Sequence, residues 1–255
     1  MHLSLNLALA KNYKSQSQKI RVLTEDWVGS YAFCPSCGYS ISVYGHNKPV
    51  ADFYCFRCSE DFELKSKRNA LGEKVVDGAY GTMIKRLQSS SNPNLFLLHY
   101  SAENLDVENF FIIPKHFFVP EIIERRKPLS QNARRAGWIG CNILLRGIPN
   151  SGKVFFIKNK RIEPKNAILL NWSKTLFLRE PKNYRLKGWI MDVMCYIDRL
   201  GGREFSLKDM YNFENELRTK YPDNRHVKDK IRQQLQFLRD KGYLEFIGKG
   251  IYRKT

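Results

Sequence analysis

An α/β body holding an inserted four-cysteine zinc site, followed by a small winged helix, is the architecture this 255-residue sequence predicts. Three observations predict it. Within residues 1–182, stretches with helical spacing alternate with short apolar runs bounded by turn residues, the pattern of a layered α/β domain. Two CxxC pairs, Cys34-Pro35-Ser36-Cys37 and Cys55-Phe56-Arg57-Cys58, lie 17 residues apart. Residues 183–255 change character and read as three helices and a basic hairpin.

Taken in order, residues 3–28 read as helix in two pieces around the polar patch Ser15–Gln18. Residues 31–46 hold the first CxxC and a Gly/Asn loop. Residues 49–54 read as a strand, Cys55–Glu60 as a knuckle and residues 61–66 as the returning strand. From Val75 to Gln88, Val76, Ala79, Tyr80, Met83, Ile84 and Leu87 recur at helical spacing and predict a helix. Ser89–Asn94 is a turn with Pro93. Leu95–Tyr100, Phe110–Ile113 and Val154–Ile157 suit strands, within an otherwise less regular region 114–182. The charged segment Arg179–Lys187, with Pro181, reads as a linker.

Beyond it, Trp189–Leu200 predicts one helix, ended by Gly201-Gly202. Ser206-Leu207-Lys208-Asp209 starts a second with an N-cap and an acid three residues on. Residues 225–241 form the third, and Tyr243–Ile247 with Ile251–Arg253 flank a Gly-Lys-Gly turn. That layout is a winged helix, a helix-turn-helix variant.

Composition narrows the partners. Hydrophobic residues make up 43% of the chain, so a packed core is expected. Lys and Arg exceed Asp and Glu by 43 − 25 = 18, which favours a polyanion. A membrane surface is the weaker rival, because no long basic amphipathic helix stands out. No apolar run is long enough to span a bilayer, and residues 1–10 lack a charged leader. Four of six cysteines are in CxxC pairs, which argues for metal-bound thiolates in a reducing compartment; a cytoplasmic protein is expected. Cys141 and Cys195 read as buried bystanders.

The chemistry concentrates between Cys34 and Lys65. Four thiolates from two knuckles suit tetrahedral Zn²⁺, and a closed four-sulfur site leaves no position for water. The zinc at Cys34, Cys37, Cys55 and Cys58 is therefore expected to be structural. Asp52, Glu63 and Lys65 form the pattern Asp-x10-Glu-x-Lys. Strand alternation puts Glu63 and Lys65 on one face, with Phe62 and Leu64 on the other. If residues 50–54 pair with residues 62–66, Asp52 approaches Glu63. Two carboxylates then make a hard-oxygen site for Mg²⁺, and Lys65 lies one pleat away. Glu-x-Lys is also an ordinary charged strand face. Asp61 and Glu25 are either accessory acids or solvated surface carboxylates.

The basic residues suggest contacts with nucleic acid. On the third C-terminal helix, Val227, Ile231, Leu235 and Leu238 form a buried stripe, leaving Arg225, Lys228, Arg232 and Gln233 for base edges and phosphates. Lys249 in the wing is a phosphate contact. Arg134 and Arg135 precede Trp138, which is either core or a flat apolar surface for a base methyl. Trp27, Trp172 and Trp189 read as core, and the histidines have no diagnostic spacing.

Several blocks resemble the DpnI-like methyl-directed (type IIM) restriction endonuclease family. They are Pro49-Val50-Ala51-Asp52-Phe53-Tyr54-Cys55, Phe62-Glu63-Leu64-Lys65-Ser66-Lys67, Asp77-Gly78-Ala79-Tyr80, Arg134-Arg135-Ala136-Gly137-Trp138-Ile139-Gly140-Cys141 and Lys230-Ile231-Arg232-Gln233-Gln234-Leu235. The resemblance runs through nearly the whole chain. It implies a PD-(D/E)xK nuclease core with an inserted zinc site at residues 1–182 and a winged-helix DNA-binding domain at 183–255. It implies Mg²⁺-dependent double-strand cleavage at GATC carrying N6-methyladenine. Asp52, Glu63 and Lys65 then take the catalytic positions, with a further Mg²⁺ ligand from the Leu64 carbonyl and 5′-phosphate products. Trp138 becomes the methyl contact and the third C-terminal helix a second reader. The proline usual directly before the aspartate is displaced to Pro49, with Ala51 in its place. The expected partner is double-stranded adenine-methylated DNA, bound by a monomer in a bacterial cytoplasm. The rival is a non-catalytic regulator, a zinc ribbon joined to a winged helix, which leaves Asp52, Glu63 and Lys65 as coincidence.

Overall fold

A computed structural model describes residues 1–45, 51–68, 72–89 and 91–255. The chain divides into two compact units, Met1–Arg146 with Ser151–Leu176, and Gly147–Asn150 with Phe177–Thr255. Pro49, the first two residues of the strand expected at 49–54, the end of the loop expected at 31–46 and Ser90 of the expected turn lie outside the described residues.

The first unit is built on a seven-stranded sheet. Its strands are β1 (Ser42–Val43), β2 (Phe53–Tyr54), β3 (Asp61–Arg68), β5 (Asn94–Tyr100), β6 (Val107–Ile113), β9 (Val154–Lys158) and β10 (Arg161–Ile162), in spatial order β1-β2-β3-β5-β6-β9-β10. Among the described residues of this sheet, only β3 and β5 pair in parallel. A parallel pair needs a crossover connection. Here it carries β4 (Lys74–Ala79) and α2 (Tyr80–Gln88). Strand β4 joins β7 (Ile123–Arg125) and β8 (Gly140–Leu144) in a second, antiparallel sheet, β4-β8-β7.

One face of the large sheet is apolar and aromatic. Phe62, Phe96, Phe110 and Phe156 come from four neighbouring strands, with successive ring centroids 4.9, 5.1 and 5.1 Å apart. Helix α1 (Gln16–Tyr31) closes this face, with Trp27 edge-on to Phe110 at 5.4 Å, and α3 (Lys165–Ser173) adds Ile168 and Trp172 to the same core. Each ring that is fully buried contributes several kcal/mol, about 3–5 if cut back to alanine. Because side chains alternate along a strand, fixing Phe62 in the core sends Glu63 and Lys65 to the opposite face.

The second unit contains α4 (Tyr184–Arg199), β11 (Glu204–Ser206), α5 (Leu207–Tyr211), α6 (Glu214–Lys220), α7 (Val227–Asp240), β12 (Leu244–Gly248) and β13 (Ile251–Lys254). The strands form one antiparallel sheet, β11-β13-β12. Ser206 and Asp209 make a reciprocal capping box at the start of α5. Val227, Ile231, Leu235 and Leu238 are buried, as their spacing predicts, and Trp189 stacks on Tyr221 at 4.1 Å. Among the described residues, no helix is long and apolar enough to cross a membrane.

Four expectations need correction. Residues 74–79 are strand, not the first turns of a helix: burial alternates along β4, and Val75 and Val76 are β-branched residues that fit a pleated surface. The supposed linker ends early, because Asn183 accepts from the Arg185 and Leu186 N–H groups and caps α4, which starts five residues before Trp189. The expected second C-terminal helix is two short ones, interrupted at Asn212-Phe213. Cys141 is fully buried, but Cys195 only partly so.

Candidate active site and metal centre

The two CxxC segments fold into matching knuckles. Cys34 N–H donates to the Tyr39 carbonyl at 2.7 Å and Cys55 N–H to the Glu60 carbonyl at 2.9 Å. Gly38 N–H returns to the Cys34 carbonyl, and Ser59 N–H to the Cys55 carbonyl. The residue after each second cysteine is left-handed, Gly38 at φ 78° and Ser59 at φ 56°. The knuckles bring Cys34 Sγ within 3.4 Å of Cys58 Sγ, and Cys37 Sγ within 3.4 Å of Cys55 Sγ. All four sulfurs lie within 4.8 Å of one another, and among the described residues this is the one such group of metal-ligating side chains. A tetrahedral zinc with sulfur at about 2.3 Å requires sulfurs about 3.8 Å apart. The donor set is thus compatible with structural zinc.

The sulfur electrostatics favour a cation. Burial pushes the Cys34 thiol far up and the Cys58 thiol to about 11. At Cys55 burial also opposes ionisation, but hydrogen bonds from the Cys58 and Arg57 backbone outweigh it and pull the thiol down. A divalent ion among the sulfurs offsets the cost of burying thiolates. From the second knuckle, the Arg57 guanidinium sits 3.8 Å over the Tyr39 ring beside the first and ties one to the other.

The knuckles also place Asp52. Strand β1 follows the first knuckle, β2 precedes the second, and the two pair through Ser42–Tyr54 and Val43–Phe53. On its other side β2 pairs with β3, Phe53 opposite Phe62 and Tyr54 opposite Asp61. One step further along that register, Asp52 faces Glu63. Its carbonyl accepts from Tyr44 N–H at 2.9 Å, its N–H donates to the Phe62 carbonyl at 2.9 Å, and its carboxylate accepts from Leu64 N–H at 2.7 Å.

On the face away from the aromatic core, Lys65 Nζ lies 2.8 Å from Glu63 and 2.8 Å from Asp77 of β4. Arg86 of α2 approaches the other Glu63 oxygen at 3.7 Å. Burial raises the Glu63 pKa against the pull of Lys65. Burial works against the Lys65 ammonium as well, but Glu63 and Asp77 prevail and hold its pKa above the ordinary value. The structure thus brings Asp52, Glu63 and Lys65 to one place, where the two carboxylates could hold a divalent cation through hard oxygens, with water completing the shell. Asp77 and Arg86 were not recognised from sequence. The helical reading of residues 75–88 hid Asp77, whereas the β-branched pair Val75 and Val76 carries a strand signal that would have put it on a pleat. Glu25 is engaged by Arg21 at 2.6 Å and Asp61 by the Tyr44 hydroxyl at 2.6 Å.

The basic candidates are distributed over both units. Arg134 and Arg135 are exposed in the loop between β7 and β8, and Trp138 is partly exposed beside them. The Trp138 ring lies against the backbone of Gly140, where a Cβ would come within 2.8 Å of it, so any larger residue there would displace the ring. In the second unit Arg225 precedes α7 rather than lying on it, and is exposed. Lys228 pairs with Glu214 at 3.3 Å; Arg232 bonds the Tyr211 hydroxyl and approaches Asp229 at 3.4 Å. Gln233 accepts from Lys230 at 2.7 Å. Lys249 is exposed at the tip of the wing with φ 47°.

An α/β unit with a four-thiol centre and a carboxylate–lysine cluster, joined to a helix-turn-helix unit, describes a class of proteins that act on DNA. Comparison with known families agrees: the DpnI family, described as the Dam-replacing family, matches residues 1–181, and the Dam-replacing HTH domain matches residues 185–254. The chain belongs to the DpnI, or Dam-replacing, family. Membership supports, in general terms, a methylation-dependent restriction endonuclease.

Proposed function

We propose that this chain makes double-strand cuts in DNA at G(N6-methyl-A)TC by Mg²⁺-dependent phosphodiester hydrolysis, leaving 5′-phosphate and 3′-hydroxyl ends. Residues 1–182 act as a PD-(D/E)xK endonuclease domain and residues 183–255 as a winged-helix reader. The observation that carries this reading is the convergence of Asp52, held by Leu64 N–H at 2.7 Å, with the Glu63–Lys65 pair at 2.8 Å. Asp52, Glu63 and the Leu64 carbonyl would hold Mg²⁺, and Cys34, Cys37, Cys55 and Cys58 structural Zn²⁺. Bound Mg²⁺ supplies Lewis-acid polarisation of the phosphate and a lower pKa for coordinated water.

The chain's own residues do the rest. Lys65, held as an ammonium, faces the scissile phosphate and stabilises the negative charge that grows on its oxygens. It also orients the attacking water in line with the leaving oxygen. Trp138 lies against the adenine methyl in the major groove, where such contacts are apolar. Arg134 and Arg135 grip the neighbouring phosphates. On the second unit, Arg225, Lys228, Arg232 and Gln233 approach base edges and Lys249 a phosphate. Lys228 and Arg232 exchange the carboxylates of Glu214 and Asp229 for DNA to do so. The protein works as a monomer in a bacterial cytoplasm, destroying methylated DNA and leaving unmethylated DNA whole.

The test is direct. Adenine-methylated and unmethylated plasmids are incubated with the chain and Mg²⁺. Discrete fragments from the methylated plasmid alone are expected. Methylated plasmid left intact at high protein concentration would refute the nuclease and favour a zinc-ribbon regulator. Equal fragmentation of both plasmids would remove the methyl dependence.

A further inference from the structure

We infer that Asp77 is a positioning residue, the partner that keeps Lys65 in place when Glu63 turns to a divalent cation. The inference rests on the proposed nuclease reading and deepens it. Lys65 Nζ stands between two carboxylates, 2.8 Å from Glu63 and 2.8 Å from Asp77. Both cannot serve the same purpose. Glu63 sits on β3 opposite Asp52, where a cation would take its oxygens. Asp77 enters from the other sheet, on β4, and is 9% exposed.

Charge counting separates their roles. Around Lys65 the ion pairs join two acids, Glu63 and Asp77, to two bases, Lys65 and Arg86, a balance of 2 − 2 = 0. Without the Asp77 charge Lys65 has only Glu63 to bind, so the lysine competes with the cation for that carboxylate. Once Glu63 is taken, Lys65 would be a four-carbon stem with no anchor and free rotamers.

The backbone secures Asp77. It pairs across β4 and β8 with Cys141, and the register shifts between Asp77 and Ala79. Such irregularities re-aim side chains and recur beside active sites. The next pair, Ala79 with Gly140, adjoins Trp138, and Tyr80 N–H donates to the Ile139 carbonyl at 3.1 Å. Thus the strand pair that bears the Trp138 loop also holds the partner of Lys65.

The experiment uses the full chain with Asp77→Asn, which keeps size and removes charge, and Asp77→Glu, which keeps charge. Divalent-ion binding is followed by calorimetry with Mn²⁺. Single-turnover cleavage of methylated DNA is followed across Mg²⁺ concentrations, and DNA affinity is measured in Ca²⁺. For Asp77→Asn the expected results are about 10- to 100-fold slower cleavage and about 10-fold weaker Mn²⁺ binding, with DNA affinity and melting temperature close to wild type. Asp77→Glu should recover the ion affinity, and it serves as the readout if the asparagine variant does not fold. An Asp77→Asn variant equal to wild type in both ion binding and cleavage overturns the assignment. So does one that loses DNA affinity, melting temperature and cleavage together and is not rescued by glutamate, since that marks a structural role. A wild-type chain that neither binds Mn²⁺ nor cuts methylated DNA sinks the nuclease reading itself.

Discussion

Replacing Cys58 with serine removes one of the four sulfurs, at a side chain only partly buried against the apolar core, and keeps its size close to the original. Cys58 Sγ lies 3.4 Å from Cys34 Sγ, and these are the two sulfurs whose thiols burial pushes up most. The loss follows from binding linkage. An ion present at about a thousand times its dissociation constant stabilises the folded chain by about 4 kcal/mol. A domain of this size loses about 2–4 °C of melting temperature per kcal/mol, so the variant should melt about 8–16 °C lower. Cleavage should fall with it, because the second knuckle adjoins β2, whose two residues present Asp52. The assay is metal content by mass spectrometry, with a melting curve and a plasmid digest on the same preparation. Wild type is expected to carry one zinc per chain and Cys58→Ser close to none. A variant that melts and cuts like wild type would show that the thiols brace nothing.

Other predictions are separable by assay. Lys65→Ala should retain affinity for methylated DNA in a gel-shift measurement and lose at least about 100-fold in cleavage rate. Unchanged cleavage would remove Lys65 from the mechanism. Trp138→Ala should narrow the preference for methylated over unmethylated sites by about 10- to 100-fold in competition binding, the scale of one lost groove contact. An unaltered ratio would assign methyl reading elsewhere. Ser59→Gly relieves a left-handed serine at φ 56° and should raise stability by about 0.5–1 kcal/mol after the entropy cost of glycine, read in a denaturant titration. A decrease would mean that the Ser59 side chain makes a contact worth more than the strain.

Much of the candidate site was legible because its signals are local. Two CxxC pairs announce a four-sulfur cluster from spacing alone, and the Glu-x-Lys alternation puts both side chains on one pleated face before any fold is known. Asp77 was hidden because Val76, Ala79, Tyr80 and Met83 also satisfy a helical period. The antiparallel pairing with β8, far along the chain, decides for strand. Region 114–182 looked irregular for the same reason: β7 has three residues and β10 two, too short to show a period, and their pairings supply the order. In the second unit the buried stripe of α7 was readable at i, i+4 and i+8. The contacts that occupy Lys228 and Arg232 were not, since they come from the Tyr211 hydroxyl of α5, Glu214 of α6 and the helix's own Asp229.

The row of phenylalanine rings under the large sheet has a consequence for how this protein can change. Inserting or deleting one residue at the start of β3 would drive Asp61 or Glu63 into the space Phe62 fills and turn a ring toward the face that carries Glu63 and Lys65. A buried, unpaired carboxylate there costs several kcal/mol, so such a chain would not accumulate as a folded protein. Length variation is thereby barred from this strand. The spacing of the acid and the lysine is guarded by the requirements of packing, independently of any demand that the chain cut DNA.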